Sequence, residues 1–294
     1  MNYIYDAVPY WKLAENPARL WYRTVQEYSG LDLTFASDKM AAIAALTQRM
    51  ERLRVDDQFL AGLWKKTLLL DLLWMVWPSP KRGRIQPRPD VVGAPKWSWP
   101  SVHGQVIWDS SSISTLSSVR IVDIHYVCVG SSHMGDVSEA KITLRAPLII
   151  AGKLLGENLK TRPRYYERQC ADGQMPEAIA PGDDAPGPLD EISVYDFDSD
   201  YRIDAAFGPG SPTDINVFII PIGCAIMGSH AGLCVRRSRD HSTYERFGLA
   251  KLRHRIAMEN SKTEDGKHWD RREEAGVLST AILEGLPVVD ITLV

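Results

Sequence analysis

Within RIVDIHYVCVG (120–130), Asp123 and His125 stand two residues apart. On an extended strand that spacing puts both side chains on one face, two rises or about 7 Å apart. An aspartate so placed can orient an imidazole and raise its basicity, and a neutral imidazole exchanges protons near neutral pH, as a general base must. Arg120 and Tyr126 then point to the opposite face. The competing reading of the same residues is an exposed strand edge on which Asp123 and His125 are merely solvated. A second stripe follows from the same alternation in SVHGQVIWD (101–109), where His103, Gln105, Ile107 and Asp109 share a side. The candidates for proton transfer are therefore His125, Asp123, His103, Asp109, Arg120 and Tyr126.

The sequence offers little other chemistry. It contains no GxGxxG after a strand, no GxxxxGK followed by Ser or Thr, no GxSxG and no HExxH, and GSHAG (228–232) has its serine and histidine in other places. YDFDSDY (195–201) sets Asp196, Asp198 and Asp200 at alternate positions, but an EF-hand needs glycine where Tyr201 stands and glutamate where Phe207 stands. The four cysteines, Cys128, Cys170, Cys224 and Cys234, lie far apart with no CxxC. That is neither a zinc site nor a disulfide framework, and it fits a reducing cytosol. The expectation is no cofactor and no metal. What remains is cofactor-independent proton transfer, as in a cyclase, isomerase or dehydratase working on an apolar small molecule. Such a reaction needs an enclosed apolar pocket with a few placed polar groups. Nine tryptophans and eleven tyrosines could line one, or fill two layers of core.

Charge narrows the partners. The 294 residues carry a formal charge of −3, so nucleic acid is not expected as a partner. Lys81, Arg82, Arg84 and Arg88 cluster, but prolines surround them and a solvated loop accounts for them. The N-terminus, MNYIYDAVPYWKLAENPARLW, has no apolar core of the kind a signal peptide carries. The runs 68–77 and 215–228 are shorter than the roughly 20 residues a membrane helix needs. A cytoplasmic protein with no membrane contact is expected; the oligomeric state is open.

The elements that must hold these residues change period along the chain. Residues 1–80 read as helical. Asn16 caps a helix with Pro17 at its first position, and Trp21, Val25 and Tyr28 share one face before Gly30 ends it. Ser37 caps a second helix, with Asp38 in its first turn and Met40, Ile43, Thr47, Met50 and Leu53 on its buried face. A third helical segment spans 58–77, apolar on nearly every side, stopped by Pro78 and Pro80. From 94 onward the period is two. Strands are expected at 101–108, 119–129, 140–148, 201–207, 215–222, 232–239 and 244–253, with PVVDITLV (287–294) closing the chain. A Pro/Gly/Asp-rich loop, 170–191, interrupts them, and 254–285 mixes helix with loop. Strands without intervening helices favour antiparallel pairing. The expected fold is α+β in one compact domain, 1–294, with N-terminal helices packed on a mainly antiparallel sheet or barrel-like β region.

In APKWSWPSVHGQVIW (94–108), Trp97 and Trp99 would face one side of a strand and Ser98 the other, and core anchors are the simplest role for the two indoles. Gly104 would permit a bend or a close approach of backbone.

The linked order of LWYRTVQEYSGLDLTFASDKMAAIAAL (20–46), FLAGLWKKTLLLDLLW (59–74), the WSW segment and YERFGLA (244–250) resembles the C-terminal region of fungal heterokaryon-incompatibility (HET) domain proteins. Those proteins usually carry the HET domain proper, similar to TIR folds, ahead of these motifs. Here the match begins about twenty residues from Met1, so the resemblance implies the companion half without the part linked to cell death, and that activity does not carry over. Two functions are open. One is a cofactor-independent enzyme, or a binding protein for an apolar small molecule, in fungal secondary metabolism. The other is a protein-interaction or regulatory module that pairs with a separate signalling chain.

Overall fold

The computed structural model describes residues 15–31, 38–77, 93–108, 113–129, 137–155, 192–199, 214–225, 230–238, 240–254 and 279–294. The fold is α+β: a few N-terminal helices and a large, mostly antiparallel sheet whose described strands do not close into a barrel.

Helix α1, Pro17–Ser29, forms as its sequence directs. Asn16 Oδ1 accepts from the Arg19 backbone N–H at 3.1 Å, Pro17 occupies the first turn, and Trp21, Val25 and Tyr28 are buried. Helix α2, Lys39–Glu51, buries Met40, Ile43, Thr47 and Met50. Its N-cap is Asp38, which makes no side-chain capping bond; Ser37 lies outside the described residues. Leu53 is exposed because the helix stops at Glu51, before the periodic face is complete.

The long third helix expected over 58–77 is replaced by several short pieces. Strands β1, Phe59–Leu60, and β2, Leu63–Trp64, form a hairpin. A single 3₁₀ turn follows, then the four-residue helix α3, Leu68–Asp71, and strand β3, Trp74–Val76. The segment is apolar all round because each piece turns a different side to the core, not because a helix is buried on all faces. Ala61 and Gly62 both take positive φ, 47° and 100°, as a two-residue hairpin turn with the native twist requires. Strand β4, Val106–Trp108, pairs with β3. The strand expected over 101–108 is therefore only three residues long. A 3₁₀ turn at Trp99–Ser101 and a bend at Gly104, φ 99°, occupy the rest.

The main sheet contains most of the expected strands, together with β5, β8 and β9, where none was expected. The strands are β5, Ile113–Thr115; β6, Arg120–Cys128; β7, Val137–Pro147; β8, Ile149–Leu155; β9, Ile192–Ser199; β10, Asp214–Ala225; β11, His230–Arg237; β12, Tyr244–His254; and β13, Val288–Leu293, preceded by the short helix α4, Thr280–Glu284. The order is β5-β10-β11-β12-β13-β7-β6, with β8 also on β10 and β9 also on β12. Among the described residues, only β12 and β13 pair in parallel, at Tyr244 and Leu293. The strand expected at 201–207 and the loop at 170–191 lie outside the described residues. β10 and β11 are buried along nearly their whole described length, as central strands covered on both faces are.

The tryptophan-rich unit is fastened to this sheet by buried polar ties. The Arg246 guanidinium on β12 is fully buried, lies 3.5 Å from the Trp74 ring centroid, and donates to the carbonyls of Leu72 and Trp74. Lys96 pairs with Glu245, which also takes Arg236 at 2.8 Å. From the other end of the sheet, the Tyr126 hydroxyl accepts the Ala61 N–H at 2.9 Å.

Candidate functional site

Strand β6 lies at the end of the sheet and, among the described residues, pairs only with β7. Its register shifts between Ile121 and Asp123, leaving Val122 as an extra, exposed residue. A one-residue bulge moves every side chain beyond it to the other face. Arg120, opposite Arg145, therefore shares the outer face with Asp123, opposite Thr143, and His125, opposite Lys141. The strict alternation that sets Arg120 opposite the dyad is broken there. Tyr126 does face inward, and burial raises its phenol pKa.

The outer face is a solvated polar surface. His125 Nε2 meets Glu139 Oε2 at 3.3 Å, both side chains being 49% exposed, so the neighbour of the imidazole is Glu139. Lys141 joins the same carboxylate at 2.7 Å, and together the Lys141 and His125 contacts hold Glu139 below the usual carboxylate range. Arg145 makes a bidentate pair with Asp290 at 2.7 and 2.8 Å, and Thr143 meets Thr292 at 3.1 Å. Asp123 is exposed and lies on this face with no part in those pairs. Between them stand the exposed apolar residues Val127 and, at the strand's end, Val129.

The second stripe does not exist as a stripe. His103 is exposed in the turn before Gly104, its pKa lowered by partial burial and by the charge of Lys39. Gln105 reaches back to the Gln26 carbonyl at 3.2 Å, and Ile107 is buried. Asp109 lies outside the described residues. The structure thus groups Arg120, Asp123 and His125 on one open face and separates them from His103 and Tyr126.

The tryptophan segment is structural. Trp97, Ser98 and Trp99 are all fully buried, because the chain turns there instead of running as a strand with Ser98 outward. The Ala61–Gly62 turn is their anchor. Gly62 O accepts both the Trp21 indole N–H at 2.9 Å and the Trp99 indole N–H at 3.0 Å, and Ala61 O accepts the Ser98 hydroxyl. Beside it, Asp71 is fully buried and accepts from the Tyr22 hydroxyl and the Trp64 N–H, each at 2.7 Å. Burial pushes its carboxyl up to about 6 against those bonds and the nearby Arg54 charge. In LLLDLLW this aspartate reads only as an interruption; a single charge inside an apolar run is the signal that it needs partners.

One row of reactive side chains escaped the sequence reading because it is assembled across strands. Ser114, Cys224 and His230 are direct register partners on β5, β10 and β11, so their side chains share a face. His230 Nε2 lies 3.2 Å from Thr280 Oγ1 on α4. No linear motif marks such a row; the only local sign is a histidine at the start of the apolar strand HAGLCV.

Among the described residues, no group of three or more His, Cys, Asp or Glu is placed to hold a metal ion, and no helix is long and apolar enough to cross a membrane. No family model, curated protein or solved structure matches this chain.

Proposed function

We propose that this chain is a protein-interaction module whose recognition element is the open edge of β6, and that the strand it takes is β6 of a second copy. The observation that carries this reading is a nine-residue edge strand exposing Val122 and Val127, with Val129 just beyond its end. Unpaired edge N–H and C=O groups are a template for an added strand. The edge is self-complementary. Antiparallel pairing about a two-fold axis through Ile124 sets Asp123 of each copy opposite His125 of the other, a carboxylate acceptor facing a ring N–H donor, and cross-strand polar pairs favour a register. Residues 123–125, on both sides of that axis, pair with β7 without a register shift, and the bulge at Val122 lies two residues from the axis.

The small-molecule reading with His125 as base requires an enclosed imidazole, and a half-exposed ring beside Glu139 lends it no support. The buried tryptophans that could line a pocket instead bind the hairpin turn and the core.

Sedimentation tests the proposal. The chain should form dimers at micromolar concentration. Asp123→Lys, which removes the acceptor opposite His125, and Val122→Pro, which blocks the edge at a bulge where proline is tolerated, should leave monomers that melt as the parent does. A parent that stays monomeric up to about 100 µM, where even a 10 µM dimer would be mostly formed, overturns the proposal. So does a dimer that both substitutions leave intact.

A further inference from the structure

Cys224 and His230 face one another across β10 and β11. Register partners on antiparallel strands hold their Cβ atoms about 4.5–5.5 Å apart, so the thiol does not bond the imidazole as placed but a rotation about its Cα–Cβ bond would bring it within reach. The two side chains differ in access. The thiol is partly exposed and in no disulfide, whereas His230 is 1% exposed. One ring nitrogen has a partner, Nε2 with Thr280 Oγ1, and the other, Nδ1, is buried with none. A nucleophile, a base beside it and a third group that orients the base is the arrangement that activates a thiol. Burial holds the imidazole below its ordinary pKa, so at neutral pH it is uncharged and able to accept a proton.

We propose that Cys224 is a reactive thiol served by His230 as base and by Thr280 as a positioning residue, and that it takes α,β-unsaturated carbonyl compounds by conjugate addition. With Nε2–H donating to Thr280, Nδ1 is free to accept. Nδ1 takes the thiol proton. The sulfur pair forms the S–C bond at the β-carbon, and the C=C π pair moves to give the enolate. The enolate α-carbon then recovers the proton from Nδ1. No group leaves, and no oxidant or reductant is required. A soft, uncharged electrophile suits this place, because a thiolate is a soft nucleophile and the row lies among the apolar residues of the central strands. This inference is independent of the edge of β6, which lies at the far end of the sheet from β5 and β10.

N-ethylmaleimide, itself a conjugate acceptor, is the probe, with labelling of each cysteine followed by peptide mass spectrometry on the full folded chain from pH 5 to 9. At pH 7 Cys224 should label at least about tenfold faster than Cys128, which is also partly exposed. His230→Gln should slow Cys224 by roughly 10²-fold or more, the lower end of general-base effects, and leave Cys128 unchanged. Thr280→Val should give an intermediate loss. In the parent, the Cys224 rate should hold level down to below about pH 6.5, whereas a thiol without a base loses a factor of ten per pH unit below about 8.5. A Cys224 no faster than Cys128, or an equal rate in folded His230→Gln, overturns the proposal. If His230→Gln fails to fold, the parent's pH profile decides, and an ordinary thiol profile overturns it.

Discussion

Trp97 and Trp99 show how far a single residue can be read from sequence. Their roles as core anchors were legible because two large aromatics close together have few other places to go. Their geometry was not, since Ser98 is as buried as they are and bonds the Ala61 carbonyl. Trp97→Ala should cost about 3–5 kcal/mol, as large-to-small core changes do, measured by urea unfolding; a loss under about 1 kcal/mol would contradict the packing. Asp71 and Arg246 were not legible, because hydropathy does not tell a buried charge with partners from a solvated one. For Asp71, burial raises the native pKa to about 6 from an unfolded value near 3.8. The native state then holds the proton more tightly. Its contribution is full below about pH 4 and is lost as pH rises through about 6, a difference of about 3 kcal/mol. Unfolding free energies of parent and Asp71→Asn should therefore diverge between pH 4 and 6. The parent gains stability on acidification, and the variant lacks that gain.

At the scale of elements, the period-two segments were legible and the short Trp-rich pieces were not. Strands β6, β7, β10, β11, β12 and β13 lie close to where alternation puts them, because each is long enough for its pattern to repeat. Over 58–77 the pieces are two to four residues long, too short for either period to establish itself, so their summed apolar character imitates a buried helix. The bulge at Val122 was equally hidden, since it adds a residue without changing composition, yet it decides which face Arg120 joins. The hairpin turn gives the sharpest test. A methyl added at Gly62, where φ is 100°, meets Trp99 Cε2 at 3.0 Å and the indole nitrogen closer still. Gly62→Ala should cost about 2–4 kcal/mol from left-handed strain and overpacking. Ala61→Gly, which relieves the same strain one residue earlier, should cost nothing or stabilise by up to about 1 kcal/mol. Equal effects of the two would show that the turn is not what holds Trp21 and Trp99.

The whole molecule is a tryptophan-rich unit fixed to a broad sheet through Arg246, the Lys96–Glu245–Arg236 cluster and Tyr126. Those ties predict one cooperative transition, with indole fluorescence and far-ultraviolet circular dichroism melting together. Arg246→Met, which leaves two buried carbonyls without donors, should lower that shared midpoint without splitting it. The α+β class was legible at this scale, while the place of β6 at the end of the described sheet was not, because sequence alternation does not say which strand stands last. The proposed dimer forms at that end. Hydrogen exchange of the backbone amides of 120–128, compared between dilute and concentrated protein, tests it most directly. Exchange there should slow with concentration in the parent and not in Asp123→Lys. Amides of β6 that exchange at one rate at every concentration, while the rest of the sheet stays protected, would contradict it.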